Sequence, residues 1–128
     1  MSDKFTVEII TPNETILKTE TNEVNIPSFE GQMGILKDHI PLITFLRPGI
    51  ISLQDREKKY YVEEGTVEFS NNNLLILTST ARDLTKLNQD SIEEFLKSAE
   101  NKFSDNHSSD KEKYISSYKI STLKEINQ

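Results

Sequence analysis

Three of the four prolines and three of the four glycines of this chain fall between Val24 and Gly49. Between them lie apolar runs too short for helices, Val24-Asn-Ile26 and Leu42-Ile-Thr-Phe-Leu46. Proline removes a backbone donor and glycine frees φ, so this punctuation dictates short strands joined by specified turns. Gly31 and Gly34 bracket Gln32-Met33, which reads as a tight turn needing positive φ or close backbone approach. Met33 is then an apolar residue on a turn. It either contacts another protein or folds back over the sheet.

The same grammar covers the first two thirds of the chain. Phe5, Val7 and Ile9 alternate with Thr6 and Glu8 as in a half-buried strand. Ile16-Leu17-Lys18 restarts a strand after Thr11-Pro-Asn-Glu14, and Glu23–Ile26 follows. Ile51 and Leu53 share a face of the next strand, and Asp55-Arg-Glu-Lys-Lys59 is a charged hairpin tip. Tyr60–Glu64 and Thr66–Ser70 alternate around Gly65. The unbroken run Leu74-Leu-Ile-Leu77 suggests a strand buried on both faces. Strands recurring about every ten residues suggest a sandwich or barrel.

After Arg82 proline and glycine disappear. Leu87, Ile92, Phe95, Leu96, Ala99 and Phe103 recur near helical spacing behind Asn88 or Asp90 as cap, which predicts a helix over about 88–104. Ser109-Asp-Lys-Glu112 has capping-box spacing and opens a second helix over about 110–126, with Ile115, Tyr118, Thr122 and Ile126 on its apolar face. The expected fold is β + α: a β-sandwich domain over 1–84, then an antiparallel two-helix hairpin domain over 85–128.

Composition narrows the function. A net charge of −6 lacks the basic stripe that nucleic acid requires. Residues 1–84 carry 8 Lys/Arg against 13 Asp/Glu, and residues 85–128 carry 7 against 8. Cysteine is absent, so disulfides and thiolate chemistry are excluded. The two histidines, His39 and His107, have no metal-ligand spacing. No phosphate-cradling glycine loop or nucleophile elbow accompanies Asp38-His39, which reads as a turn histidine bonding to backbone. Adjacent Glu63 and Glu64 would face opposite sides of a strand and share no proton. Lys111, Lys113, Lys119 and Lys124 read as the wet side of a helix. No catalytic residue, cofactor site or metal site is expected. No run reaches the ~18 apolar residues of a membrane span. The strand pattern beginning at Lys4 leads us to expect no signal or transit peptide.

Ile26-Pro27, Glu30-Gly31, Gly34-Ile35-Leu36, His39-Ile-Pro41-Leu42, Arg47-Pro-Gly49, Tyr61-Val62, Gly65, Val67-Glu68, Ile76-Leu77 and Ala81, with the opening Phe5-Thr-Val-Glu-Ile-Ile-Thr-Pro12, form an ordered set of turn and strand residues. In this set the chain resembles the epsilon subunit of F-type ATP synthases over about residues 4–84; beyond that the likeness is architectural. The resemblance implies a ten-stranded β-sandwich followed by a C-terminal helical hairpin. It also implies a noncatalytic central-stalk subunit that binds the gamma subunit and the c ring and couples proton flow to ATP synthesis. By the same resemblance Glu30, Gln32, Met33 and His39 belong to an end of the sandwich that meets the c ring. In some members the hairpin reaches the alpha/beta catalytic head and inhibits hydrolysis, which would make Lys111, Lys113, Lys119 and Lys124 the contacts. The second helix here carries no arginine. Other members bind ATP through an Asp-x-x-Arg-Ala motif early in the first helix. The matching place reads Asn88-Gln-Asp-Ser91-Ile92, so no ATP site is expected. The mitochondrial counterpart, called delta, shares the fold, and the lack of a transit peptide favours a bacterial or plastid-made chain. The expected location is the cytoplasmic face of a bacterial inner membrane, held there only through the complex. An ATP-sensing switch and an unrelated sandwich adaptor are the alternatives.

Overall fold

A computed structural model of the chain describes residues 3–55 and 57–126. They form two compact units, the first ending at Asp83 and the second beginning at Leu84.

The first unit holds ten strands. β1 (Phe5–Ile10) pairs antiparallel with β2 (Thr15–Thr21) and parallel with β9 (Asn73–Leu77). β3 (Glu23–Ser28) pairs along its length with β4 (Gly31–Leu36). On its other side β3 meets β6 (Gly49–Leu53) at Val24 and Asn25, then β5 (Leu42–Leu46) at Ser28. β7 (Lys58–Val62) joins β6 to β10 (Ala81–Asp83), and β8 (Gly65–Ser70) joins β5 to β9. The strand order β10-β7-β6-β3-β5-β8-β9-β1-β2, with β4 added on β3, folds over as the sandwich expected. The charged tip ends at β7; Arg56, within it, lies outside the described residues.

Between the layers lie Phe5, Val7, Ile9, Val24, Ile26, Ile35, Leu46, Ile51, Leu53, Val67, Phe69, Leu74 and Ile76, all buried. Phe5 and Phe69 meet edge to face with ring centroids 5.5 Å apart. The alternation read in β1 and β6 is realised, with Phe5, Val7, Ile9, Ile51 and Leu53 turned inward. Three strands depart from expectation. Gly31–Leu36 is a strand and not a tight turn: the turn is only Phe29-Glu30, closed by Ser28 Oγ donating to the Gly31 carbonyl at 2.8 Å. Tyr60, Tyr61 and Val62 are all buried, so β7 does not alternate. β9 is not buried on both faces, because Leu77 is 45% exposed while Leu74 and Ile76 are buried. The edge position of β7's outer neighbour and the open outer face of β9 are tertiary facts that local apolar runs do not encode.

Pro27 sits where β3 leaves β6 for β5, and its carbonyl accepts from the Arg47 N–H at 2.9 Å. A Cβ on Gly49 would lie 2.4 Å from Pro27 Cβ. The two segments therefore approach as closely as a side chain-free residue allows. We expect Gly49→Ala to cost about 1–3 kcal/mol, read as a lower urea midpoint. Gly34→Ala should cost less, because its added carbon would meet only the side-chain oxygens of Asn25 and Glu23, at 3.2 and 3.6 Å.

Candidate functional site

Every residue of β5 is uncharged, and all but Thr44 are apolar, so one face of the strand must carry apolar groups outward. Thr44 and Leu46 turn inward, which leaves Ile43 73% and Phe45 59% exposed. The pairing continues that outer face across the sheet. Phe45 lies beside Thr66, Thr66 beside Leu77, and Leu77 beside Ile10; in the next row Ile43 lies beside Glu68, and Glu68 beside Leu75. Phe29 extends the patch, its N–H bonded to the Phe45 carbonyl at 3.0 Å. Single exposed apolar residues are ordinary, but Ile43 and Phe45 together on one rigid strand, with Leu77 beyond Thr66, mark a candidate interaction surface. Sequence reading missed this face. Its only signal was the lack of a charge on either parity of β5 and β9.

Of the residues expected to face the ring, Glu30 and His39 flank the two ends of β4, with Gln32 and Met33 on the strand between them. Glu30 stands at the start of β4, with its Oε1 accepting from Thr44 Oγ1 at 3.5 Å. Gln32 is exposed on β4, and Met33 is half-buried and packed against the core. His39 lies past the far end of β4. A six-residue strand, about 20 Å of extended chain, separates it from Glu30. The four residues thus follow β4 from before its start to past its end. His39 is a turn histidine: its N–H donates to the Leu36 carbonyl at 3.1 Å, Nδ1 lies 2.7 Å from the Ile40 carbonyl, and its ring stands edge-on to Phe69. Asp38 bonds Asn72. Glu63 and Glu64 occupy the β7–β8 connection and not a strand. Glu63 accepts from the Tyr61 hydroxyl at 3.0 Å and Glu64 from the Ser79 N–H at 2.9 Å. Burial, then the Glu63 carboxylate, push the Tyr61 phenol far above its ordinary range, so it stays a donor.

The second unit is a 3-10 turn (Leu84–Lys86) followed by α1 (Gln89–Ser104) and α2 (Asp110–Ile126), packed on each other. Asn88 caps α1, accepting from the Ser91 N–H at 2.7 Å. The capping box of α2 is formed in full: Glu112 N–H donates to Ser109 Oγ at 3.1 Å and Ser109 N–H donates to Glu112 at 3.3 Å. Ile92 and Ala99 are buried on α1, and Ser116, Thr122 and Leu123 on α2. Of the apolar face expected on α2, Thr122 is buried and Ile115, Tyr118 and Ile126 are half-buried, with Ser116 and Leu123 the deeper residues. Nor do the lysines form one wet side. Lys111 and Lys124 are exposed and Lys113 and Lys119 are half-buried; at ~100° per residue Lys113 and Lys124 share one direction, and Lys111 and Lys119 lie well away from it. No helix among the described residues is long and apolar enough to cross a membrane.

A family model described as the ATP synthase delta/epsilon chain, beta-sandwich domain, matches residues 4–83. The ATP synthase epsilon chain of Pelagibacter ubique is 45% identical across 99% of this chain and 100% of that protein. The mitochondrial ATP synthase subunit delta of Schizosaccharomyces pombe is 38% identical over 65% of this chain and 53% of its own. Among solved structures, a chain of the Euglena gracilis mitochondrial ATP synthase (OSCP/F1/c-ring) aligns with a TM-score of 0.75 at 18% identity. It covers 97% of this chain and 79% of its own. A chain of the Tetrahymena thermophila mitochondrial ATP synthase central stalk/c-ring aligns at 0.66 with 14% identity, covering 96% of each.

Lys102 Nζ lies 2.6 Å from Glu112 and ties α1 to the cap of α2. That lysine holds the Glu112 carboxyl below its ordinary range, and Glu112 in turn raises Lys102. A depressed carboxyl contributes fully above its unfolded value of ~4.3 and is lost as pH falls through its lower folded value; the raised lysine contributes below ~10.4 and is lost as pH rises through its higher folded value. We expect the Ser109 amide resonance to hold steady between those limits and to move on acidification below the ordinary carboxylate range. In Glu112→Gln the acid step should vanish.

Proposed function

The chain belongs to the delta/epsilon chain family of ATP synthases, and from that premise we propose that it is a noncatalytic subunit of the rotor's central stalk. Its sandwich joins the gamma subunit to the c ring, so that rotation driven by proton flow reaches the catalytic head. The observation that carries this reading is the outward apolar face of Ile43, Phe45 and Leu77, which lies within the unit the family model covers. A rigid sheet with a preformed apolar face docks a partner at little ordering cost, which suits a part that transmits torque. The β4 margin from Glu30 through Gln32 and Met33 to the His39 segment is the proposed ring-facing element. The complex holds the chain peripherally at the cytoplasmic face of a bacterial inner membrane. Lys111, Lys113, Lys119 and Lys124 remain the candidate contacts to the catalytic head. Their scatter around α2 favours, at most, a contact through two of them at once.

The test adds the full chain, or a version ending at Leu84, to a gamma-containing synthase complex lacking this subunit. Both versions should co-elute with the complex. Ile43→Glu/Phe45→Glu in the full chain should abolish co-elution while leaving the unfolding midpoint near that of the parent, because both side chains are already solvated. Binding of that variant with parental strength would reject the apolar face as the docking surface. Slowing of ATP hydrolysis by the full chain alone would assign inhibition to the hairpin.

A further inference from the structure

The segment between β4 and β5 is pinned from outside itself. Asp38 N–H donates to Asn72 Oδ1 at 2.7 Å, and Asn72 Nδ2 donates to Asp38 Oδ1 at 3.0 Å, across 34 positions of sequence. Both residues adopt positive φ, 65° at Asp38 and 59° at Asn72, with 51° at neighbouring Asn71. Asn and Asp tolerate such backbone, and at Asn71-Asn72 the two-residue loop of the β8–β9 hairpin calls for it. Asn72 is itself anchored, its carbonyl accepting from the Thr6 N–H at 3.1 Å. Next to Asp38, the His39 bonds to Leu36 and Ile40 and its ring packing on Phe69 fix the chain direction. What this arrangement displays is Ile40, 74% exposed and the most exposed large apolar side chain among the described residues. A clasp serving only stability would hold its apolar residue inward. Here a reciprocal polar pair holds a segment whose apolar residue stays out.

We infer that the Asp38–Asn72 clasp shapes the Lys37–Ile40 segment for docking onto the c ring, with Asn72 a positioning residue that itself lies outside the contact. The inference rests on the docking reading given above. Pre-forming the segment removes the ordering cost that a loose loop would pay on binding.

The experiment measures retention of full-length variants by membranes carrying a synthase that lacks this subunit. Asn72→Asp keeps an acceptor for the Asp38 N–H but sets carboxylate against carboxylate. Retention should weaken by about three- to tenfold, the range of one to two lost hydrogen bonds. The swap Asp38→Asn/Asn72→Asp re-forms two bonds with both donors, the backbone N–H and Nδ2, on residue 38 and both acceptors on residue 72, with residues that tolerate positive φ, and should recover retention. The Asp38 amide should exchange faster in Asn72→Asp and return to parental rate in the swap. Ile40→Glu separates the two claims. If Ile40→Glu binds as the parent does, the segment is not a contact and the inference is overturned, while the docking face of Ile43 and Phe45 still answers to its own test. If Ile40→Glu loses retention and Asn72→Asp does not, the clasp alone is overturned. A fall in unfolding midpoint that the swap leaves unrepaired would make the pair a folding determinant and overturn the inference as well.

Discussion

The sandwich depends on a corner. At Pro27 one strand changes partners, and the change is possible because proline has no N–H to leave unpaired at the handover. Its carbonyl is still used, by Arg47. Gly49 opens the departing strand at a distance no side chain would permit. From this corner the chain can run β5 and β8 on one layer and β6 and β7 on the other, and the apolar residues of both layers then face a shared interior. Without the close approach the layers would splay, and the buried Ile26, Leu46 and Ile51 would lose their neighbours.

That interior determines what is left outside. Once Thr44 and Leu46 turn inward, Ile43 and Phe45 have no choice of face, because strand side chains alternate strictly. The outer apolar surface is thus a by-product of the same register that fills the core. Buried Thr44 at an inward position is the inexpensive half of this exchange, since its hydroxyl has Glu30 within reach. A protein acting alone would gain by placing the threonine outward and an aliphatic residue inward. A subunit with a partner does not.

Much of the architecture was legible in residues. The alternation of Phe5, Val7 and Ile9, the cap at Asn88 and the reciprocal pair Ser109–Glu112 each use a local rule, and local rules can be read along a line. The failures share another origin. Gly31 has the positive φ expected of it, 119°, but Gly34 reads as a turn residue and yet lies inside an edge strand whose pairing is decided by β3, one hairpin away. The run Leu74–Leu77 reads as doubly buried, but nothing in it reports that its outer side stays open. His39 and Glu30 are close in sequence, and the strand between them holds them apart. Asn72 could not be singled out at all. Its importance lies in a partner 34 positions away, and Asn71-Asn72-Asn73 reads as an ordinary turn until both are placed in space.

The parallel pairing of β1 with β9 sets an order of events during synthesis. Thr6 lies beside Asn73 and Ile10 beside Leu77, so β1, made before the other described strands, has β2 as its only early neighbour. At about 5–20 residues per second it waits several seconds for its second neighbour. Until then Phe5, Val7 and Ile9 have no interior to enter. The hairpin helices close through neighbours that are near in sequence, and nucleate late but fast. The sheet is begun first and sealed near its end, which makes the nascent amino-terminal hairpin the stretch most in need of protection while the chain is being made.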